Sequence, residues 1–233
     1  MKNSHARAIL LRKYEVQENN CFTIWLTENS EIIKVSIHGA KKITGRFTNI
    51  DHLKIYKLEL YKSRNYQILK DMEIEKSFPS IESNLEKLQQ AMEIIKTLHL
   101  FTVHESKIDQ LFQQSIAAFE LTEQSQSPII SDAFKLKTLY LQGFINEIDQ
   151  CTHCHEKILL NSAINLEESG EIICENCLTN HPYSKSKKVP FNTAKLSKFI
   201  IQNPISKLKN LKLERRELDN FQIFVRELMK IHA

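Results

Sequence analysis

The sequence predicts an α+β protein of more than one domain, with an amino-terminal β-barrel followed by a helical region that encloses a metal-binding segment. Three observations predict it. Short runs rich in β-branched and aromatic residues occupy the first 76 positions. From Ile81 onward apolar residues recur at helical spacing. Two Cys-x-x-Cys pairs, Cys151/Cys154 and Cys174/Cys177, stand in the later half.

The strand runs are Ala6–Lys13, Cys21–Thr27, Ile32–His38, Leu53–Lys62 and Tyr66–Glu75. In the second run Phe22, Ile24 and Leu26 share one parity, and in the third Ile33, Val35 and Ile37 do. The fourth changes phase: Leu53 and Ile55 hold one parity and Tyr56, Leu58 and Leu60 the other, as a β-bulge produces. Five short strands with a phase slip suit a small closed barrel of the OB-fold type, with a two-sheet sandwich as the rival. This domain is expected to span residues 1–78, and the helical domain residues 79–233.

Past Pro79, the stripe Ile81, Leu85, Leu88, Met92 and Ile95 predicts a first helix with Ser80 or Ser83 as its cap. Ile108, Leu111, Phe112, Ile116 and Phe119 predict a second, closed by the polar stretch before Pro128. Further helices are expected over 131–144, 193–202 and 217–231. With only 4 Gly and 5 Pro, the chain leaves little room for flexible linkers.

The net charge of +4 conceals an asymmetry. Residues 1–76 carry 14 Lys/Arg against 9 Asp/Glu, residues 77–183 carry 6 against 15, and residues 184–216 carry 10 against 1. Two basic segments around an acidic middle fit a polyanion contacted from two places; pairing of the basic segments with the acidic middle is the other reading. The amino-terminal apolar run is too short for a signal sequence and no stretch is long enough to span a membrane, so a cytoplasmic protein is expected. Five cysteines in that compartment point to metal or free thiols rather than disulfides.

Nineteen residues separate the two Cys-x-x-Cys pairs, a spacing that suits a two-knuckle zinc site over 151–177. Four thiolates at about 2.3 Å close a tetrahedron and leave no position for a reactive water, so one structural Zn2+ is expected. His153, His155 and His181 are near enough in sequence to replace a cysteine, and Cys21 reads as a small core or surface thiol.

These features, in this order, resemble the bacterial DNA repair and recombination mediator family RecO. His38-Gly39-Ala40-Lys41-Lys42 followed by Gly45-Arg46-Phe47 is similar to the family's Gly-Ala-basic-basic segment. The run from Phe134 to Gly143-Phe144 resembles the helix and glycine before the first knuckle, and the run from Gly170 through Cys174 to Cys177 the entry to the second. The likeness extends from about Ala8 to the carboxyl end. It departs where the family often has Pro before the first knuckle and Gly just after it, here Glu147-Ile148 and His155, and where lysines replace common arginines. The resemblance implies a non-enzymatic mediator with an OB barrel. Such a protein binds single- and double-stranded DNA, anneals complementary strands, and with RecR helps load RecA onto strands coated by SSB. It also implies a contact with the SSB tail, for which Lys135 and Lys137 are among the few basic residues of the middle segment.

The strand parity suggests which residues meet DNA. With Phe22, Ile24 and Leu26 inside, Thr23, Trp25 and Thr27 face out, beside Lys34, Ser36 and His38 of the third strand. Trp25 then either stacks on bases next to Lys34 or covers the seam between domains. Lys41, Lys42 and Arg46, with Arg7, Lys54 and Lys57, compose a phosphate track. The cluster Lys185, Lys187, Lys188, Lys195 and Lys198 either extends that track or meets the acidic helices. No phosphate-binding G-x-x-x-x-G-K loop or H-E-x-x-H motif is present, which argues against an enzyme. The competing class is a zinc-ribbon adaptor that binds proteins and not DNA.

Overall fold

A computed structural model describes residues 3–16, 20–38, 47, 50–62, 66–101, 110–158, 164–180 and 185–232. They form two compact units, 1–126 and 127–233. Among the described residues no helix is long and apolar enough to cross a membrane.

The first unit opens with five strands: β1 (Asn3–Val16), β2 (Asn20–Thr27), β3 (Ile32–Ile37), β4 (Lys54–Lys62) and β5 (Gln67–Ser77). They close in the order β1-β2-β3-β5-β4, all neighbours antiparallel except β3 and β5. β4 itself alternates without the expected extra residue; the irregularity is on its partner. The β4–β5 register shifts between Ile55 and Tyr56, which pair with Lys76 and Ile74 and leave Glu75 as the extra residue on β5. Tyr56, Leu58 and Leu60 point into the barrel core by plain alternation, and Ala8, Leu10, Cys21, Trp25, Val35 and Ile37 join them. Ile55 is buried outside that cluster.

The parity of β2 is opposite to the one expected. Cys21, Thr23 and Trp25 point inward, while Phe22 and Ile24 are half-buried on the outer face. The polar groups explain why. The Trp25 indole N–H donates to Thr23 Oγ1 at 2.7 Å, and the Thr23 hydroxyl donates to the Val35 carbonyl at 3.0 Å. Both polar atoms are satisfied, so the largest apolar side chain enters the core without a stranded donor. Its ring meets Tyr56 edge-on at 5.3 Å, and the Tyr56 hydroxyl is engaged by the Asp51 backbone.

Among the described residues of the first unit, three helices follow: α1 (Pro79–Glu82), α2 (Leu85–Phe101) and α3 (Leu111–Gln124). The stripe expected from Ile81 to Ile95 does not run through one helix. The chain breaks at Ser83–Asn84, and α2 starts afresh with the Asn84 side chain accepting the Lys87 N–H at 3.1 Å. This shifts the buried face to Ala91, Ile94, Ile95, Leu98 and Phe101 and leaves Leu85 70% exposed. Ser83 ends α1, and the amides of Ser80 and Ile81 are bound by the Glu123 carboxylate at 3.0 and 2.9 Å. That capping group lies about forty residues away in sequence.

The second unit packs α4 (Ile130–Leu141), α6 (Phe191–Gln202) and α7 (Arg215–His232) around Phe134, Leu136, Leu139, Ile200, Phe221, Phe224, Val225 and Leu228. A 3₁₀ turn (Ile205–Asn210) connects α6 to α7. Between α4 and α6 lie β6 (Ile164–Glu167), β7 (Ile172–Ile173), α5 (Glu175–Asn180) and β8 (Ser186–Val189), with sheet order β7-β6-β8. Lys137 is buried in this unit. Its ammonium donates to the carbonyls of Ile200, Ile201 and Asn203 at 3.2, 2.9 and 2.7 Å, closing the carboxyl end of α6.

Candidate functional site

Cys151, Cys154, Cys174 and Cys177 converge, their sulfurs all within 4.8 Å of one another. The first knuckle is a tight turn: His155 N–H donates to the Cys151 carbonyl, and Cys151 N–H to the Glu156 carbonyl, each at 2.9 Å. Thr152 joins this turn to β7, its N–H and hydroxyl both donating to the Ile172 carbonyl. The second knuckle follows β7 directly and leads into α5. Amides point at sulfur, Cys174 N–H to Cys151 Sγ and Cys177 N–H to Cys174 Sγ, each at 3.4 Å.

This donor set fits a tetrahedral ion. Arms of about 2.3 Å place sulfurs about 3.8 Å apart, and Cys154 Sγ and Cys174 Sγ are 3.9 Å apart. The electrostatics agree. Burial opposes ionisation of Cys151, but the amides of Cys154, Cys174 and His153 outweigh it and bring the thiol down to about 6. Hydrogen bonding to Cys174, then burial, pushes Cys177 up to about 12. A first thiolate thus forms readily, while a full set of four requires a cation at the centre. His153 and His155 stand outside the set: His153 Nε2 is 3.3 Å from Glu167, and His155 holds the positive-φ position after the knuckle. His181 lies outside the described residues.

On the barrel, Trp25 is fully buried in the core, so it neither stacks on bases nor covers a seam. The outer face of β1-β2-β3 presents different residues. Arg12 pairs with Ile24 and Ile24 with Lys34 in one row, and Tyr14 with Phe22 and Phe22 with Ser36 in the next. Partners across a ladder share a face, so Arg12 and Lys34 lie on the same face as Tyr14 and Phe22. The Arg12 guanidinium lies 4.6 Å from the Tyr14 ring, and Tyr14 is 37% exposed. The signal is present in the alternation of β2, where the opposite parity puts Phe22 on the outer face in place of Trp25.

The other expected basic residues are differently placed. Arg7 forms a two-pronged contact with Glu75, the bulge residue, at 2.7 and 2.5 Å. That hydrogen bonding lowers the pKa of Glu75 and raises that of Arg7. Lys54 pairs with Asp51 at 2.5 Å. Lys57 is exposed but shares a hollow of about 380 Å3 with Glu28, Glu59, Asp71 and Glu73. Arg7 and Lys57 therefore sit on a face of mixed charge rather than in a basic track. Lys34 is exposed on β3, whereas Lys41, Lys42 and Arg46 lie outside the described residues. In the second unit Lys198 binds the buried Asp149 at 2.5 Å and Lys187 binds Glu227.

A family model described as "Recombination protein O C terminal" matches residues 82–233, about two-thirds of the chain. The chain belongs to the RecO family. Curated RecO relatives agree along its length. A DNA repair protein RecO of Dehalococcoides mccartyi strain 195 is 24% identical over 224 residues, covering 94% of this chain and 87% of its own. That of Pelotomaculum thermopropionicum is 22% identical over 236 residues, covering 100% and 90%. That of Clostridium perfringens strain 13 is 25% identical over 176 residues, covering 74% and 71%. One departure from the RecO pattern now has a physical setting. His155, at the place where the family often has glycine, adopts φ +59°, a conformation glycine takes without strain and histidine at modest cost.

Proposed function

We propose that the protein is a DNA repair and recombination mediator without catalytic activity of its own. In this reading the first five strands are an OB-fold domain that binds single- and double-stranded DNA. The protein anneals complementary strands and, with RecR and the SSB tail, helps load RecA onto SSB-coated DNA. Membership of the RecO family supports the repair role. The strand order β1-β2-β3-β5-β4 and its closure support the OB-fold assignment.

The observation that carries DNA binding is the outer face of β1-β2-β3, where Tyr14 and Phe22 lie beside Arg12 and Lys34. Aromatic rings supply sequence-tolerant stacking and the cations neutralise phosphate, the combination single strands require. Lys41, Lys42 and Arg46, which follow β3 in the sequence, are further proposed phosphate contacts. Arg7, Lys54 and Lys57 are secondary candidates, because carboxylates already surround them.

The four cysteines would hold one Zn2+. Closed thiolate coordination gives the ion a structural role: it pins the two knuckles and the β6–β7 hairpin, and takes no part in chemistry. The work is binding and pairing of strands in the bacterial cytoplasm.

The test is a titration of a labelled oligonucleotide at two salt concentrations, followed by strand annealing without ATP. Salt-dependent binding and ATP-independent annealing are expected. Absence of binding at low salt would instead favour a zinc-ribbon adaptor that contacts proteins alone.

A further inference from the structure

A second set of metal-ligating atoms lies beside the cysteine cluster and shares no residue with it. A ring nitrogen of His153 and one carboxylate oxygen each of Glu167 and Glu171 fall within 4.8 Å of one another. We infer that these three residues form a second, open Zn2+ site on the surface of the zinc-binding segment.

The spacing of the donors accommodates an ion. His153 Nε2 and Glu167 Oε2 are 3.3 Å apart. Charged hydrogen bonds between nitrogen and carboxylate close to about 2.7–2.9 Å. Zinc with nitrogen and oxygen arms of about 2.0–2.1 Å holds tetrahedral ligands about 3.3–3.4 Å apart. One imidazole and two carboxylates are donors that zinc accepts readily, and they leave the fourth position to water.

The backbone holds these donors in place. His153 is inside the first knuckle, whose neighbouring Thr152 makes two hydrogen bonds to Ile172. Glu167 and Glu171 flank the β6–β7 turn, closed by Glu167 N–H to the Glu171 carbonyl at 2.9 Å and Gly170 N–H to the Glu167 carbonyl at 3.0 Å. The Ser169 hydroxyl donates to Glu171 Oε2 at 3.2 Å and orients that carboxylate. Ordering cost is therefore small at His153 and Glu167, whose side chains are 30% and 11% exposed.

The inference rests on the proposed filling of the four-cysteine site, because an emptied knuckle would not hold His153 in position. Cobalt separates the two. Full-length protein is stripped of metal under reducing conditions and titrated with Co2+. The first equivalent should raise the sulfur-to-cobalt charge-transfer band; a second should add visible ligand-field absorption with no further thiolate band. Glu171→Gln and His153→Ala should each weaken the second equivalent at least tenfold and leave the first unchanged. Glu171 is exposed on the turn, so its variant tests the site without disturbing the knuckle. No thiolate band at any point would overturn the four-cysteine reading. A thiolate band saturating at one equivalent with nothing further would overturn the second site alone, as would a second equivalent of unchanged affinity in both variants.

Discussion

The indole N–H of Trp25 donates to Thr23 Oγ1 at 2.7 Å inside the barrel, two residues back along the same strand and on the same face. The Thr23 hydroxyl passes the chain on to the Val35 carbonyl of the neighbouring strand. Thr23→Val keeps the shape but leaves the indole donor unpartnered, at a cost of about 1–3 kcal/mol. A fall in the urea midpoint with unchanged slope would show it. Trp25 is also the only tryptophan, so its fluorescence reports the barrel core. Oligonucleotide binding should leave that emission unchanged; strong quenching on binding would mean that DNA reaches Trp25.

Tyr14→Ala and Phe22→Ala should each weaken single-strand binding. A stacked base is worth about 1–3 kcal/mol on substitution by alanine, so a loss of roughly 5- to 100-fold is expected. Replacing Lys41, Lys42 and Arg46 together should instead reduce the salt dependence of binding, since phosphate contacts set that slope. Anisotropy titrations over a range of salt separate the two effects.

Lys137→Met keeps most of the side-chain volume and removes the cation that closes α6. Three carbonyls in a buried setting lose their donor, and a loss of about 1–3 kcal/mol is expected. Thermal melting followed by hydrogen exchange should locate the weakening in α4 and α6.

Two backbone positions in the four-cysteine segment should respond in opposite directions. Gly170 has φ +90°, and a Cβ there would overlap the His232 ring at the end of α7, so Gly170→Ala is expected to destabilise by about 1–3 kcal/mol. His155→Gly relieves a left-handed residue and should be neutral or stabilising by up to about 1 kcal/mol. Melting temperatures of the zinc-loaded variants test both.

Removal of the proposed metal should loosen the 151–177 segment first, because the two knuckles then lose the ion that would hold their four sulfurs together. Loss of amide protection there, with Trp25 emission intact, is the expected pattern. Early loss of the Trp25 signal would contradict it.

Glu227 gives a pH test. Hydrogen bonds from Lys187 and then Lys230 hold its carboxyl down to about 2 from an ordinary 4.5. A depressed acid stabilises above the unfolded value and loses that contribution as pH falls from about 4.5 to about 2. The group is at the surface, so the effect is small. The difference in melting temperature between the parent and Glu227→Gln should shrink across that window.

The chain sequence by itself determined the strand runs, the later helices and the four-cysteine cluster. Each is written locally: two-residue alternation, a helical period, and thiols at knuckle spacing. Tertiary structure decided which face of β2 is the interior. Phe22, Ile24 and Leu26 look like core in isolation, and only the hydroxyl of Thr23, bridged to Val35 on the next strand, makes Trp25 the better core residue. It also decided that Glu123 caps α1 and that Glu75 takes up Arg7, contacts between residues more than forty positions apart. Local spacing records what one strand or turn can do alone. Satisfying a buried donor or a charge depends on which distant group arrives beside it, and that exists only once the barrel has closed.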